Sequence, residues 1–151
     1  MAMYLSYIGI RVRDLERSLR FYQDLFGLHE VARGDNSKQG AGVYVLLRDA
    51  RSGQKLELNW YPSGSPYAVD YNPGEGLDHV AFRVEDLPGF LRKLAARGIE
   101  RVPIDPSLAE PAGARGTSSW FHVEYVKDPD GNWVELFERS DPIGSTPPNA
   151  Y

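Results

Sequence analysis

The sequence says the same thing twice. Tyr7-Ile8-Gly9-Ile10-Arg11-Val12-Arg13-Asp14-Leu15 aligns with His79-Val80-Ala81-Phe82-Arg83-Val84-Glu85-Asp86-Leu87. Arg48-Asp49, leading through Gly53 to Leu56-Glu57-Leu58, aligns with Lys127-Asp128, leading through Gly131 to Val134-Glu135-Leu136. The offset is 72 residues from Tyr7 to His79 and 78 from Glu57 to Glu135. A chain of 151 residues that repeats once in this way is constrained to two related modules of about half its length. The repeat also sets Tyr7 against His79 and Glu57 against Glu135, which are metal-ligand types at equivalent positions.

Each module opens with an alternating, β-branched-rich segment, Tyr7 to Arg13 and His79 to Val84, that predicts a strand. Asp14 and Asp86 then stand where a helix N-cap is needed. Leu15, Leu19, Tyr22, Leu25 and Phe26 form one apolar stripe, stopped by Gly27; Leu87, Phe90, Leu91, Leu94 and Ala95 form the other, stopped by Gly98. Pro88 is tolerated because the first helical turn has no use for its missing N–H. Three strands are predicted after each helix: Leu28–Arg33, Gly42–Arg48 and Lys55–Trp60, then Ile99–Ile104, Phe121–Lys127 and Trp133–Glu138. Asp128-Pro129-Asp130-Gly131-Asn132 is a strong turn signal.

The expected division is a first βαβββ module over 1–60, a Pro/Tyr-rich connector over 61–76, a second module over 77–139 and a mobile tail over 140–151. Asp105–Ser119 reads as a Gly/Pro/Ala-rich loop, longer than its counterpart Gly34–Ala41. Composition narrows the partners. A net charge of −4 without a basic run argues against nucleic acid, and no apolar run approaches the ~18 residues of a spanning helix. No apolar signal region follows Met1. The absence of cysteine excludes disulfides, thiolate metal sites and cysteine nucleophiles. A soluble cytoplasmic protein is the expectation.

Alternate side chains of a strand point to opposite faces. The apolar neighbours of Glu57 (Leu56, Leu58) and of Glu135 (Val134, Leu136) turn toward the helices, so both glutamates turn away from them. Tyr7 with Arg11, and His79 with Arg83, share the corresponding face of the first strands. The fold expected is α+β: two tandem βαβββ modules forming a curved mixed sheet around a cleft, helices outside. Tyr7, Glu57, His79 and Glu135 would meet in that cleft.

These motifs, with Phe21-Tyr22, Gly27-Leu28 and Gly76-Leu77-Asp78-His79, resemble the vicinal oxygen chelate superfamily. It includes glyoxalase I, fosfomycin-resistance proteins, extradiol dioxygenases and methylmalonyl-CoA epimerase. The resemblance runs from about Tyr7 to Glu138. It implies metal ligands at Glu57, His79 and Glu135, and a fourth position at Tyr7, where the family usually has His or Gln. A neutral phenol is a poor ligand, so three protein ligands with open positions, a coordinating phenolate, or no metal at all remain open. One imidazole and two carboxylates suit Zn, Ni, Co, Mn or Fe(II) alike. Family members commonly dimerise, which implies a homodimer, with the cleft built within one chain or between two.

The resemblance is closest in ligand pattern to glyoxalase I. It implies a metal-dependent lyase/isomerase that abstracts a proton next to a carbonyl on a small oxygen-chelating substrate. The catalytic candidates are Glu57, Glu135 and Tyr7; Arg11, Arg83 and Trp60 are the substrate-contact candidates. An extradiol dioxygenase would need a second His in place of Tyr7, and an epimerase shares the proton chemistry. The rival of another class is a metal-free, ligand-sequestering protein of the bleomycin-resistance type. Each position also has an ordinary structural role open to it: solvated strand glutamates, a structural histidine, salt-bridged arginines. If the turn over Asp128–Gly131 closes symmetrically, Glu124 lies opposite Glu135 and His122 opposite Phe137, with His122 a substitute or supporting ligand. A slip of one residue removes both from that face. His29 reads as a solvated helix-end residue.

Overall fold

A computed structural model describes residues 5–35, 42–103 and 121–139 of the chain. The expected loop over Asp105–Ser119, most of its counterpart and the tail from Ser140 lie outside the described residues. The chain divides into two compact units, Met1–Asn72 and Pro73–Tyr151.

In the first unit, β1 (Ile8–Val12) leads into α1 (Leu15–Leu19), which runs on as a π-helical segment, Arg20–Leu25. The strands β2 (His29–Asp35), β3 (Val43–Arg48) and β4 (Lys55–Trp60) follow. The sheet order is β1-β4-β3-β2, with β1 parallel to β4 and the other pairs antiparallel. Asp14 caps the helix by accepting from the Arg17 backbone N–H at 2.9 Å. The wider π turn adds Phe21 to the buried stripe beside Tyr22 and Leu25. Gly27, at φ +72°, ends it in a conformation that side-chain-bearing residues avoid. His29 is exposed at the start of β2, paired with Arg48, rather than at the helix end.

The second unit repeats the plan with β5 (His79–Arg83), α2 (Leu87–Ala95), β6 (Phe121–Lys127) and β7 (Trp133–Arg139) in the order β5-β7-β6. Again the first strand is parallel to the last and the hairpin is antiparallel. Asp86 caps α2 through the Gly89 N–H at 2.9 Å, with Pro88 in the first turn. The helices pack on β4 and β7, over Leu56 and Leu58 in one unit and Val134 and Leu136 in the other, all of them buried. The first unit thus has the βαβββ pattern and the second, among the described residues, βαββ, each a small mixed sheet with one helical segment.

Two expectations are corrected. Residues 99–103 form no strand; a backbone bond, from the Val102 N–H to the Tyr125 carbonyl at 2.8 Å, ties them to β6, and Ile104 lies outside the described residues. The β6–β7 hairpin register differs by one residue from symmetric closure over Asp128–Gly131. Tyr125 stands opposite Glu135, Glu124 opposite Leu136 and position 122 opposite Glu138. The cause is Asn132, which belongs to the turn. Its backbone N–H and side-chain amide donate to the two oxygens of Asp128 at 2.8 and 2.9 Å, the Asp130 N–H donates at 2.9 Å, and the Asn132 carbonyl accepts from the Asp128 N–H at 2.9 Å. Lys127 pairs with Trp133, so the turn has five residues, not four, and Asp128 and Asn132 are buried in it. Glu124 accordingly faces away from Glu135 and pairs with Arg101 at 3.1 Å.

Asp128→Ala would strand two backbone N–H groups and an amide in a buried turn. The expected loss is about 3 kcal/mol of unfolding free energy in urea; a loss below about 1 kcal/mol would contradict the turn as described. In the matching turn of the first unit, burial pushes the Asp49 carboxyl up. Hydrogen bonds from the Ser52 and Arg51 backbone and the Ser52 hydroxyl outweigh it, leaving Asp49 below the ordinary carboxylate range. A depressed carboxylate contributes stability above its unfolded pKa of about 3.9, and that contribution disappears as pH falls through the folded value. Asp49→Asn is therefore expected to be less stable than wild type at neutral pH, by a margin that shrinks as pH falls below about 3.9, in urea unfolding across that range.

Candidate functional site

The parallel pairs set which side chains share a face. In the second unit the register rows are Ala81–Glu135–Tyr125 and His79–Trp133–Lys127, running across β5, β7 and β6. His79 and Glu135 therefore occupy adjacent rows of one face, opposite to buried Val134 and Leu136. His79 Nε2 lies 3.6 Å from Glu135 Oε2, with the His79 side chain 35% exposed and that of Glu135 only 15%. Asp78 Oδ2 stands 3.5 Å from the other ring nitrogen, Nδ1. Ala81, small and directly opposite Glu135, leaves the carboxylate room on the β5 side.

The β6 side supplies a partner that the sequence reading missed. The Tyr125 hydroxyl donates to Glu135 Oε2 at 2.6 Å, the length of a charge-assisted O–H···O⁻ bond. Its ring meets the edge of Trp133 (centroids 5.5 Å) and of His79 (6.2 Å). The hydrogen bond to Glu135, partial burial and the charges of Glu135 and Asp78 push the phenol up to about 12. The signal was available: counting Asn132 into the turn puts Tyr125, not Glu124, across from Glu135.

The first unit builds its glutamate differently. Glu57 stands in register with Gly9 and Leu46, and its Oε1 accepts from the Asn59 amide at 2.9 Å. A Cβ at Gly9 would meet Asn59 Nδ2 at 3.2 Å and Glu57 Oε1 at 3.6 Å, so glycine leaves room for this pair. Leu46 occupies the position that Tyr125 holds in the second unit, and the donor comes instead from two residues along the same strand. Tyr7 precedes β1, and it is 46% exposed.

The substrate-contact candidates separate. Arg83 is half-buried on the His79 face, in register with Phe137. Arg11 donates from Nη1 to the carbonyls of Tyr67 (3.2 Å) and Val69 (3.4 Å), while the Tyr71 hydroxyl donates to the Arg11 carbonyl at 2.8 Å. Arg13 reaches the Tyr71 carbonyl at 3.2 Å and stacks over its ring. Arg11 thus anchors the connector against β1. Trp60 alternates with Leu56 and Leu58, on the other side of β4 from Glu57.

His79 and Glu135 fit a divalent ion. Two donors 3.6 Å apart can both reach one centre at about 2.0–2.2 Å, and imidazole with carboxylate suits a borderline metal. Among the described residues no group of three or more His, Asp or Glu side chains is gathered that could hold a metal; His79 and Glu135 stand as a pair of ligand-type side chains. No helix among the described residues is long and apolar enough to cross a membrane.

A phenol raised in the folded state contributes stability below its unfolded pKa of about 10, and that contribution is lost as pH rises through the folded value. The stability of wild type relative to Tyr125→Phe is therefore expected to fall between about pH 10 and about 12, in paired urea titrations. A pH-independent difference would contradict the Tyr125–Glu135 bond.

Residues 4–136 match the family model described as Glyoxalase/Bleomycin resistance protein/Dioxygenase superfamily. The chain is 30% identical to a probable lactoylglutathione lyase of Synechocystis over 142 residues, covering 91% of this chain and 97% of that one. It is 29% identical to the lactoylglutathione lyase of Haemophilus influenzae, covering 91% and 93%. Among solved structures, a glyoxalase family protein from Bacillus cereus superimposes with a TM-score of 0.71 at 17% identity, over 92% of this chain and 95% of that one. The trypanothione-dependent glyoxalase I of Leishmania major gives 0.65 at 24%, over 91% and 87%. The fosfomycin resistance protein FosX of Listeria monocytogenes, complexed with Mn(II), gives 0.61 at 20%, over 93% and 95%. These likenesses bear on the fold. Matched over most of its length, the chain belongs to the glyoxalase/bleomycin resistance protein/dioxygenase superfamily.

Proposed function

We propose that the protein is a metal-dependent, glyoxalase I-like lyase/isomerase that moves a proton at the carbon next to a carbonyl of a small oxygen-chelating substrate. The observation that carries it is the His79–Glu135 pair, 3.6 Å apart on the face opposite the apolar core. The relatives named lactoylglutathione lyase support the reaction class. His79 and Glu135 would hold the divalent ion, with Glu57 as the further carboxylate ligand. When bound, the ion would act as a Lewis acid toward negative charge developing on the substrate oxygens. Its identity among Zn, Ni, Co, Mn and Fe is part of the proposal's test.

The chain's own groups do the rest. Glu57 and Glu135 are the acid–base candidates, each a carboxylate able to take the proton from carbon and return it to the neighbouring position. Tyr7, exposed beside β1, is the candidate for a neutral donor to the substrate. Arg83, half-buried on the His79 face, is the candidate for anchoring an anionic part of the substrate. Arg11 has its Nη1 committed to connector carbonyls, and Trp60 lies on the core side, so both are weaker candidates for contact. We place the protein in the cytoplasm as a homodimer.

A metal-free sequestering protein of the bleomycin-resistance type is the second reading, favoured by Tyr7 where the family usually has an imidazole or amide. Turnover of methylglyoxal with glutathione, with Ni, Zn or Co added, separates the two. The expected outcome is turnover with at least one ion, with Glu135→Gln lowering kcat by about 10²–10⁴ and His79→Ala abolishing metal retention. No turnover with any of the three ions would reject the glyoxalase assignment, and no retained ion would favour the binder.

A further inference from the structure

We infer that Tyr125 is a positioning residue: its hydroxyl orients the Glu135 carboxylate for the divalent ion shared with His79. The inference rests on the metal reading proposed above and adds to it a residue outside the expected ligand set. Oε2 of Glu135 is the oxygen that faces His79 Nε2 at 3.6 Å, and the same oxygen accepts the Tyr125 hydroxyl at 2.6 Å. A carboxylate oxygen has two lone-pair directions, so one can take the phenol while the other, and Oε1, stay free for a cation. Without the phenol the glutamate side chain would rotate about its own bonds, because Ala81 on the other flank is too small to restrain it.

Tyr125 is itself held on three sides. Its ring is braced edge-on by Trp133 and His79, and its backbone carbonyl accepts the Val102 N–H at 2.8 Å. Cross-strand pairing with Glu135 fixes the height of the hydroxyl above the sheet. The hydroxyl therefore arrives at Oε2 from a rigid support, which is what an outer-shell group needs in order to restrict a ligand. Loss of such a partner typically weakens metal binding by about 10–100-fold.

The test is calorimetric titration of metal-stripped protein with Co(II), together with its visible absorption, for wild type, Tyr125→Phe, Glu135→Gln and the double variant. Phe keeps the ring and removes one oxygen, and thermal melts confirm that the fold is retained. The expected result is a 10–100-fold weaker Co(II) affinity for Tyr125→Phe, with an altered ligand-field spectrum. In the Glu135→Gln background the same change should alter affinity by less than about 2-fold, since Tyr125 acts through that carboxylate. Should Phe unfold the strand, Tyr125→Leu, which also removes the donor and adds no metal ligand, is the second variant and is expected to weaken binding by about the same 10–100-fold. Wild-type affinity in Tyr125→Phe, or an equal loss with and without Glu135, would overturn the inference while leaving the metal site standing. Wild-type protein that takes up no Co(II) would overturn the metal reading and this inference with it.

Discussion

The Asp128 carboxylate governs the second unit. Both of its oxygens are engaged inside a buried five-residue turn, by two backbone N–H groups and the Asn132 amide. An odd-numbered turn sets the parity of the hairpin, and parity decides which β6 side chains share a face with Glu135. One residue fewer would bring Glu124 to that face, placing two carboxylates opposite one another where like charges repel. With Asn132 inside the turn, the neighbour is a phenol that donates. The character of the site is therefore set at a point some distance along the strands from it.

The two units solve one problem by different means. Each has a glutamate in the central strand of its β1-β4-β3 or β5-β7-β6 set, facing away from the helix and flanked on the first strand by a residue with little or no side chain, Gly9 or Ala81. Each glutamate accepts one hydrogen bond from a neutral donor on its own sheet. The donor is Asn59, two residues on, in the first unit, and Tyr125, across the hairpin, in the second. Duplication accounts for the placement of the glutamates, and divergence for their partners. At 2.6 and 2.9 Å the two contacts have the lengths usual for an O–H and an N–H donor on a carboxylate.

The architecture was legible because it rests on period and punctuation. Apolar alternation gave the strands, Asp14 and Asp86 the helix starts, and Gly27 and Gly98 their ends; strand bounds moved by a residue or two. The shared face of His79 and Glu135 followed from alternation alone. Less legible was anything that depends on counting across a turn. Asn132 reads equally well as the first residue of a strand or the last of a turn, and only its three bonds to Asp128 decide. Tyr125 was hidden behind that ambiguity. The backbone bond from Val102 to β6, where a strand was expected, is likewise tertiary: Ile99 to Ile104 has strand-like composition, but residues 99–103 make too few ladder bonds to form one. The retention of Arg11 by the connector carbonyls was invisible too, since backbone acceptors leave no mark in a sequence.

Whether an imidazole and an acidic group from parallel neighbours hold a cation is best settled by anomalous diffraction from crystals soaked in Co(II). A single strong peak about 2.0–2.2 Å from His79 Nε2 and from a Glu135 oxygen, with the Tyr125 hydroxyl still on that carboxylate, is the expected result. Density without a peak there, or a peak ligated by neither His79 nor Glu135, would contradict it.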